Sequence, residues 1–362
     1  MPSIPDSFLD ELVSKSDIFD VVSGYVRLTK RTGSNIFGLC PFHGEKTPSF
    51  SVNTDKQIYY CFSCQKGGGV INFIMEIENI SFRDAVEILT KRAGMTLPEN
   101  DIDKEIVEKR HRMLELNRDA ARHFHELLAS SISESACEYL VKRGISKSMI
   151  KRFGIGVTLD SWNNLIDAMM SKGYKLNELI DAGLANKHKA KPDQSNNEAY
   201  DVFRNRLMFP VIDVRGNVLG FSGRVFDGGD PKYLNTHDTL VYSKKRTLFG
   251  LNFAKKSKSG MLILVEGIFD VIALHQAEFD YAISTPVRTV LTEDQARLIS
   301  RYANETIIAY NSDEEGHKAT LRATALLEKA GVNVKSINIG DSKSSEEYLK
   351  KHGTEALKEL LE

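Results

Sequence analysis

The stretch Cys40–Cys64, CPFHGEKTPSFSVNTDKQIYYCFSC, decides how the N-terminal part of this 362-residue chain folds. Cys40 and His43 form C-x2-H, and Cys61 and Cys64 form C-x2-C, with seventeen residues between the pairs. Two turns that each offer two ligands three positions apart suit a tetrahedral metal. Three thiolates and one imidazole make a closed structural zinc site with no open position for chemistry. The alternative, three buried free cysteines and a surface histidine, leaves the paired spacing unexplained. The runs SFSVN and QIYYCF read as short strands. A ribbon this small cannot hold itself together by burial, so one Zn²⁺ per chain is expected to supply part of its folding energy.

Outward from the ribbon, residues 1–98 read as one unit, opened by an amphipathic helix around Phe8–Leu12 and closed by another at Phe82–Arg92. Phe42, Phe50, Tyr59, Tyr60 and Phe62 are interleaved with Lys46, Lys56 and Lys66. Aromatic faces beside cations suit stacking on unpaired bases, and the same rings suit a small core. Strand alternation puts Tyr59 and Tyr60 on opposite faces, so only one points inward. Residues 99–111, ENDIDKEIVEKRH, form a linker or the start of a solvated helix reaching to about Ala129. Helical patterns follow to about residue 200, with Cys137 as a packing residue and a polar loop at Asn186–Glu198.

From residue 201 the pattern becomes strand-like, RLMFPVIDVRGNVLGFSGRVF, with a hairpin turn at VRGN. From residue 261 strands (MLILV, YAIS, TIIAY, NVKSINI) alternate with helical stretches (FDVIALHQA, TEDQARLISRYA, GHKATLRATALLEKA). That alternation implies a parallel sheet with helices on its faces. Functional loops of such sheets lie at the C-terminal ends of the strands. Glu266 ends the first strand and Asp270 lies one helical turn on. Asn311 and Asp313 follow the third strand, and Glu346 and Glu347 the fourth. Acids clustered on one edge can hold Mg²⁺. Acids at strand ends also simply cap helices.

Composition narrows the classes. Apolar residues are 41% and charged residues 27%, enough for a real core. The net charge of −1 excludes a uniformly basic nucleic-acid coat. Its distribution is uneven. Residues 201–260 hold eleven Lys/Arg against five Asp/Glu, and residues 261–362 hold eleven against seventeen. Phosphates favour the first segment and divalent metals the second, unless this is ordinary surface variation. No apolar run is long enough to span a membrane, the N-terminus lacks a signal-peptide pattern, and four cysteines are too few for a disulfide scaffold. A cytoplasmic protein fits.

The segment GLCPFHGEKTPSFSVNTDKQIYYCFSCQKGGGVINFI closely resembles the zinc module of bacterial DnaG-type DNA primases. So do the lead-in IPDSFLDELVSKSDIFDVV and the trailing SFRDAVEILTKRAGM. The resemblance continues through YLVKRGIS, FRNRLMFPVID, GFSGR, PKYLN and VEGIFDVIAL, and covers nearly the whole chain. It implies an α+β multidomain protein: a zinc β-ribbon (1–98), a linker (99–111), a mixed α/β, basic primase subdomain (112–260), an α/β Toprim domain with a parallel sheet (261–340) and a helical tail (341–362). It implies synthesis of short RNA primers from ribonucleoside triphosphates on single-stranded DNA, beside a replicative helicase. By match, Arg204, Arg206, Arg224, Lys232, Asn235 and Lys244 would contact template and nucleotide. Glu266, Asp270 and Asp313 would be the catalytic carboxylates for Mg²⁺ or Mn²⁺, with Glu346 assisting.

The chain also departs from the family. Asn311 stands where the family has an aspartate, flanked by changes at Ser312 and Glu315. TPVRTVLT carries Arg288 at a glycine position, where it could repel a metal or hold a phosphate. The family's DPDE reads SSEE, so Ser344 replaces one aspartate and Glu346 another. The chain ends at Glu362, without the family's C-terminal helicase-docking module. An amide offers a metal only a dipole where a carboxylate offers a charge. Two function classes follow: a primase with a divergent metal site, or a primase-derived protein, such as one of a mobile element, that binds single-stranded DNA with weak or lost synthesis. Another Toprim enzyme, such as a topoisomerase, lacks its catalytic tyrosine context here.

Overall fold

The computed structural model describes residues 4–45, 47–78, 80, 82–97, 101–188, 199–257, 259–286, 291–340 and 342–361. Lys46, Arg288 and most of the polar loop before Ala199 lie outside the described residues. The chain divides into two compact units, residues 1–107 and 108–362.

The first unit runs α1 (Asp6–Ser14), α2 (Ile18–Ser23), β1 (Leu28–Thr32), β2 (Asn35–Gly38), β3 (Phe50–Asn53), β4 (Ile58–Cys61), β5 (Gly67–Gly68), α3 (Val70–Ile77) and α4 (Phe82–Arg92). Its strands form one antiparallel sheet in chain order. Tyr59 points inward and is fully buried, while Tyr60 faces solvent. Phe42, Phe50, Tyr59 and Phe73 pack with ring centroids 5.4–6.2 Å apart, so these four rings are core. Ile58, Tyr60 and Phe62 alternate onto the outer face and stay exposed. Glycine is required at Gly67, because a Cβ there would lie 2.7 Å from the Tyr60 ring.

The division between the units falls inside α5 (Asp101–Ala129), so the charged run after residue 99 is helical from Asp101. The second unit continues with α6 (Glu134–Lys142), α7 (Lys147–Phe153), β6 (Gly156–Thr158), α8 (Asn164–Ser171), α9 (Leu176–Asp181), β7 (Ala185–Lys187), β8 (Ala199–Asp201), β9 (Arg206–Ile212), β10 (Val218–Arg224), β11 (Tyr233–Asn235) and α10 (Leu251–Ala254). Strands β6, β9, β10 and β11 form an antiparallel sheet in the order β11-β10-β9-β6. The expected turn at VRGN joins β9 to β10, closed by Asp213 N–H to the Asn217 carbonyl at 2.9 Å.

Alternation follows: β12 (Met261–Val265), α11 (Ile268–Gln276), β13 (Ala282–Ser284), α12 (Glu293–Ile299), β14 (Glu305–Ala309), α13 (Glu314–Lys329), β15 (Asn333–Ser336) and α14 (Ser345–Leu361). The sheet is wholly parallel in the order β13-β12-β14-β15. The unbroken apolar run in β12 has a simple cause. Ile263 and Val265 face one cluster with Val271 and Phe209, while Leu262 and Leu264 face another with Ile299 and Leu327. A strand covered on both faces needs no polar alternation. Leu357 and Leu361 of α14 are buried in the cluster that holds Val271 and Ile272, so the tail is part of this core.

Candidate functional site

Cys40 follows β2, His43 lies in the next turn, Cys61 ends β4 and Cys64 sits in the turn after it. One ligand atom from each of the four lies within 4.8 Å of all the others. Cys40 Sγ and Cys64 Sγ are 3.8 Å apart. That is the edge of a tetrahedron whose metal–sulfur bonds are about 2.3 Å. His43 Nδ1 is 3.9 Å from Cys61 Sγ, and its Nε2 is 3.3 Å from the Glu45 carboxylate. Glu45 also accepts the Cys40 N–H at 2.7 Å and the Ser49 N–H at 3.2 Å. One carboxylate thus holds both the imidazole and a cysteine backbone, and such partners fix ring orientation and raise ligand basicity. Burial raises the Cys61 thiol pKa, but the Cys64 N–H and the Ser49 hydroxyl outweigh it and draw the group down to about 7. Burial pushes the neighbouring Cys40 thiol the other way, up to about 12, and a metal here would bind both only as thiolates. The donor set fits one Zn²⁺.

The acidic edge is arranged differently. Val265 of β12 pairs with Ala309 of β14, which sets Glu266 beside the loop that leaves β14. Asn311 N–H donates to Glu266 Oε1 at 3.0 Å. Asp313 caps α13, accepting the Gly316 N–H at 2.7 Å. Gly316 closes this loop so tightly that a Cβ would sit 2.1 Å from the Asn311 carbonyl oxygen. Asp270 is buried in the first turn of α11 and accepts the Glu346 N–H at 2.9 Å. Burial pushes its carboxyl up to about 6, helped by the Glu346 and Glu266 charges and opposed by the Glu346 N–H and the Ser344 hydroxyl. Glu346 is buried between two cations, paired with Arg143 and, at 2.7 Å, with Lys350. Among the described residues, no second group of three or more His, Cys, Asp or Glu ligands converges as the ribbon set does. Glu266 and Asp313 remain as oxygen donors at neighbouring strand ends, and Mg²⁺ is commonly held by one or two carboxylates plus substrate phosphates.

Register in the antiparallel sheet gathers most of the expected cations. Arg224 pairs with Leu207 and Tyr233, which brings Arg206, Arg224 and Lys232 to one end, with Asn235 two positions further in. Arg224 lies over Tyr233 and Phe269, each 4.9 Å from the ring centroid, and Arg143 lies 4.3 Å from the Phe269 centroid. Phe269 belongs to α11, so this sheet end abuts the acidic edge. Arg143 Nε, Arg224 Nε and Asn235 Oδ1 are buried without a hydrogen-bond partner among the described residues. Arg206 is buried, with a guanidinium N–H on the Pro231 carbonyl at 2.8 Å. Arg204 stacks elsewhere, on Trp162. Lys244 lies in a loop tied by its backbone to Asp238 and Gln295.

Comparison with known proteins follows the same three parts. Family models match as a CHC2 zinc finger over residues 4–105, a DNA primase catalytic core N-terminal domain over 123–255 and a Toprim-like domain over 263–349. A solved structure of the Aquifex aeolicus primase, comprising zinc-binding and RNA polymerase domains, aligns at a TM-score of 0.64 and 33% identity, over 100% of this chain and 85% of that one. The chain belongs to the DnaG-type primase family. Within it, a DNA primase of Clostridium acetobutylicum is 44% identical over 99% of this chain, and one of Staphylococcus aureus 36% over 98%. The chain spans 59% of the length of these two primases. A DnaG primase catalytic domain bound to ssDNA aligns at a TM-score of 0.63 and 32% identity, over 70% of this chain and 79% of that one. The family's zinc ribbon, mixed core and parallel Toprim sheet are all present.

Sequence reasoning missed Arg143 and Glu45. The signal for Glu45 was its place inside C-x2-H-x-E, where a carboxylate can reach the ring of His43. No local signal marks Arg143, because its partner Glu346 lies 203 residues away.

Proposed function

We propose that the chain is a primase that joins ribonucleoside triphosphates on a single-stranded DNA template, in the cytoplasm. The observation that carries this reading is the contact of the basic sheet end with the acidic edge across Phe269, with Arg143 and Arg224 against one ring. Arg206, Arg224, Lys232 and Asn235 would hold phosphates of template and nucleotide there, with Arg204 and Lys244 further along the strand. Cations at that place offset the charge of a triphosphate as it approaches carboxylates. Glu266 and Asp313 would hold a divalent metal, which when bound polarises phosphoryl oxygens and neutralises leaving pyrophosphate. Asp270 and Glu346 would act on the protein side, fixing the start of α14 against α11. With only two carboxylates toward the metal, Mn²⁺ should serve better than Mg²⁺.

The test is incorporation of labelled ribonucleotides on single-stranded DNA. Primers should form, faster with Mn²⁺, and Glu266→Gln should abolish them while template binding persists. No incorporation with either metal, by a chain that still binds template, would overturn synthesis and leave a template-binding protein.

A further inference from the structure

We infer that Phe269 is a positioning residue for the nucleoside triphosphate: its ring gathers the Arg143 and Arg224 guanidinium groups into one clamp for neighbouring phosphates. Phe269 stands in the first turn of α11, between Glu266 and Asp270, and is buried. The Arg143 guanidinium carbon lies 4.3 Å from the ring centroid and that of Arg224 4.9 Å. The two arginines come from different elements, Arg143 from the C-terminal end of α6 and Arg224 from the last position of β10. Each has one further anchor, Glu346 for Arg143 and the Tyr233 phenol for Arg224. The shared ring is itself wedged edge to face against Phe209 at 5.3 Å and Tyr139 at 6.4 Å.

Two guanidinium groups at one point repel each other, and the N-terminus of α11 adds a positive partial charge beside them. Glu346 relieves Arg143, whereas the phenol that holds Arg224 brings no charge. Burial works against the Arg224 charge, yet the Tyr233 and Tyr139 phenols outweigh it and raise the pKa. The negative face of an aromatic ring attracts both cations without neutralising either. A carboxylate in that place would gather them and then compete with phosphate for them. The ring gathers them and leaves their forks to phosphate oxygens, which they meet two bonds at a time. Arginine chains lose rotamer freedom when a ligand fixes them, and the ring has taken part of that loss beforehand. The clamp is also keyed to the acidic edge. Asp270, next to Phe269 in the chain, accepts the Glu346 N–H at 2.9 Å, and Glu346 in turn holds Arg143. The turn that carries Glu266 and Asp270 therefore also sets where the two cations stand.

This inference rests on the proposal that the chain joins ribonucleoside triphosphates, and the experiment separates the two. Binding of inorganic tripolyphosphate to the full chain is measured by calorimetry without added divalent metal, apart from any synthesis. Phe269→Leu keeps an apolar side chain and removes the ring. It should raise the Kd for tripolyphosphate about tenfold, the cost of two freed arginine side chains. The KM for nucleotide in primer synthesis should rise by the same factor, with kcat near the parent's. A second series replaces Phe269 by mono-, di- and pentafluorinated phenylalanine, which weakens the negative face in steps at nearly constant shape. Kd should rise in the same steps, a grading that a ring serving only to pack would not show. If Phe269→Leu misfolds, the fluorinated series decides alone. A flat series, or Phe269→Leu binding like the parent at the parent's melting temperature, overturns the positioning role even where primers form. A parent that takes up no tripolyphosphate overturns it too. A graded series in a chain that makes no primer keeps the clamp and overturns synthesis.

Discussion

In the ribbon, Cys40, His43, Cys61 and Cys64 face one another within 4.8 Å, whereas at the acidic edge each carboxylate faces some other partner. Glu266 accepts an amide N–H, Asp313 caps a helix, Asp270 accepts the Glu346 N–H and Glu346 sits between Arg143 and Lys350. The contrast separates two uses of metal. Ribbon ligands converge on one another, and the groups around them, Glu45 on His43 and the Cys64 N–H on Cys61, hold them toward that shared point, so their geometry is a statement about folding. The acids belong to a sheet buried on both faces, in cores that need no metal. They are satisfied by hydrogen bonds and ion pairs, so Asn311 and Ser344 can replace aspartates without cost to the fold.

The largest break in this comparison is Cys64→Ser. Losing one thiolate removes most of a binding energy of about 10–16 kcal/mol in small zinc modules. Elemental analysis should fall from one zinc per chain toward zero, and the first unit should lose its cooperative melt while the second keeps its own. Full zinc in a folded variant would contradict the assignment. Glu45→Gln should be milder, weakening zinc about 10–100-fold in a chelator competition, because it loosens His43 without removing a ligand.

How much was legible follows the same line. The zinc ligands could be read because a metal site in a ribbon is local, two turns with fixed spacing. The parallel sheet could be read because β12 and β14 are apolar on both faces and alternate with helical runs. What could not be read was which partner each acid takes. The inward turn of Tyr59 rather than Tyr60 needed the sheet's register, and the Arg143–Glu346 pair joins residues 203 positions apart. Burial of Asp270 depends on α14 folding back over α11, which no window of sequence reveals.

Asp270 sharpens the comparison by pH. Its folded pKa of about 6 lies above the ordinary aspartate value, so the folded state holds the proton more tightly. Its contribution to stability is therefore present at acidic pH and lost as pH rises through about 4 to 6. Asp270→Asn keeps an oxygen for the Glu346 N–H and removes the buried charge. At pH 7.5 it should stabilise the second unit by about 2–3 kcal/mol, at 1.36 kcal/mol per pKa unit. Below pH 4 the gain should vanish. A variant no more stable than the parent at pH 7.5 would show that Asp270 carries its charge at little cost.

The smallest expected effect is the most direct on function. Asn311→Asp with Ser344→Asp returns two charges to the acidic edge, next to Glu266 and beside Asp270. Without metal these charges repel their neighbours, so the double variant should melt slightly below the parent. With Mg²⁺ the order should reverse, because a ligand that binds only the folded state raises its stability by mass action. The parent's melting temperature should respond little to Mg²⁺, since Glu346 stays engaged by Arg143 and Lys350 and only Glu266 and Asp313 are offered. Primer synthesis with Mg²⁺ should rise about tenfold in the double variant, a change of about 1.4 kcal/mol in barrier. If melting stays blind to Mg²⁺ and synthesis does not rise, the edge is committed to its ion pairs, and the two missing aspartates are not what limits the site.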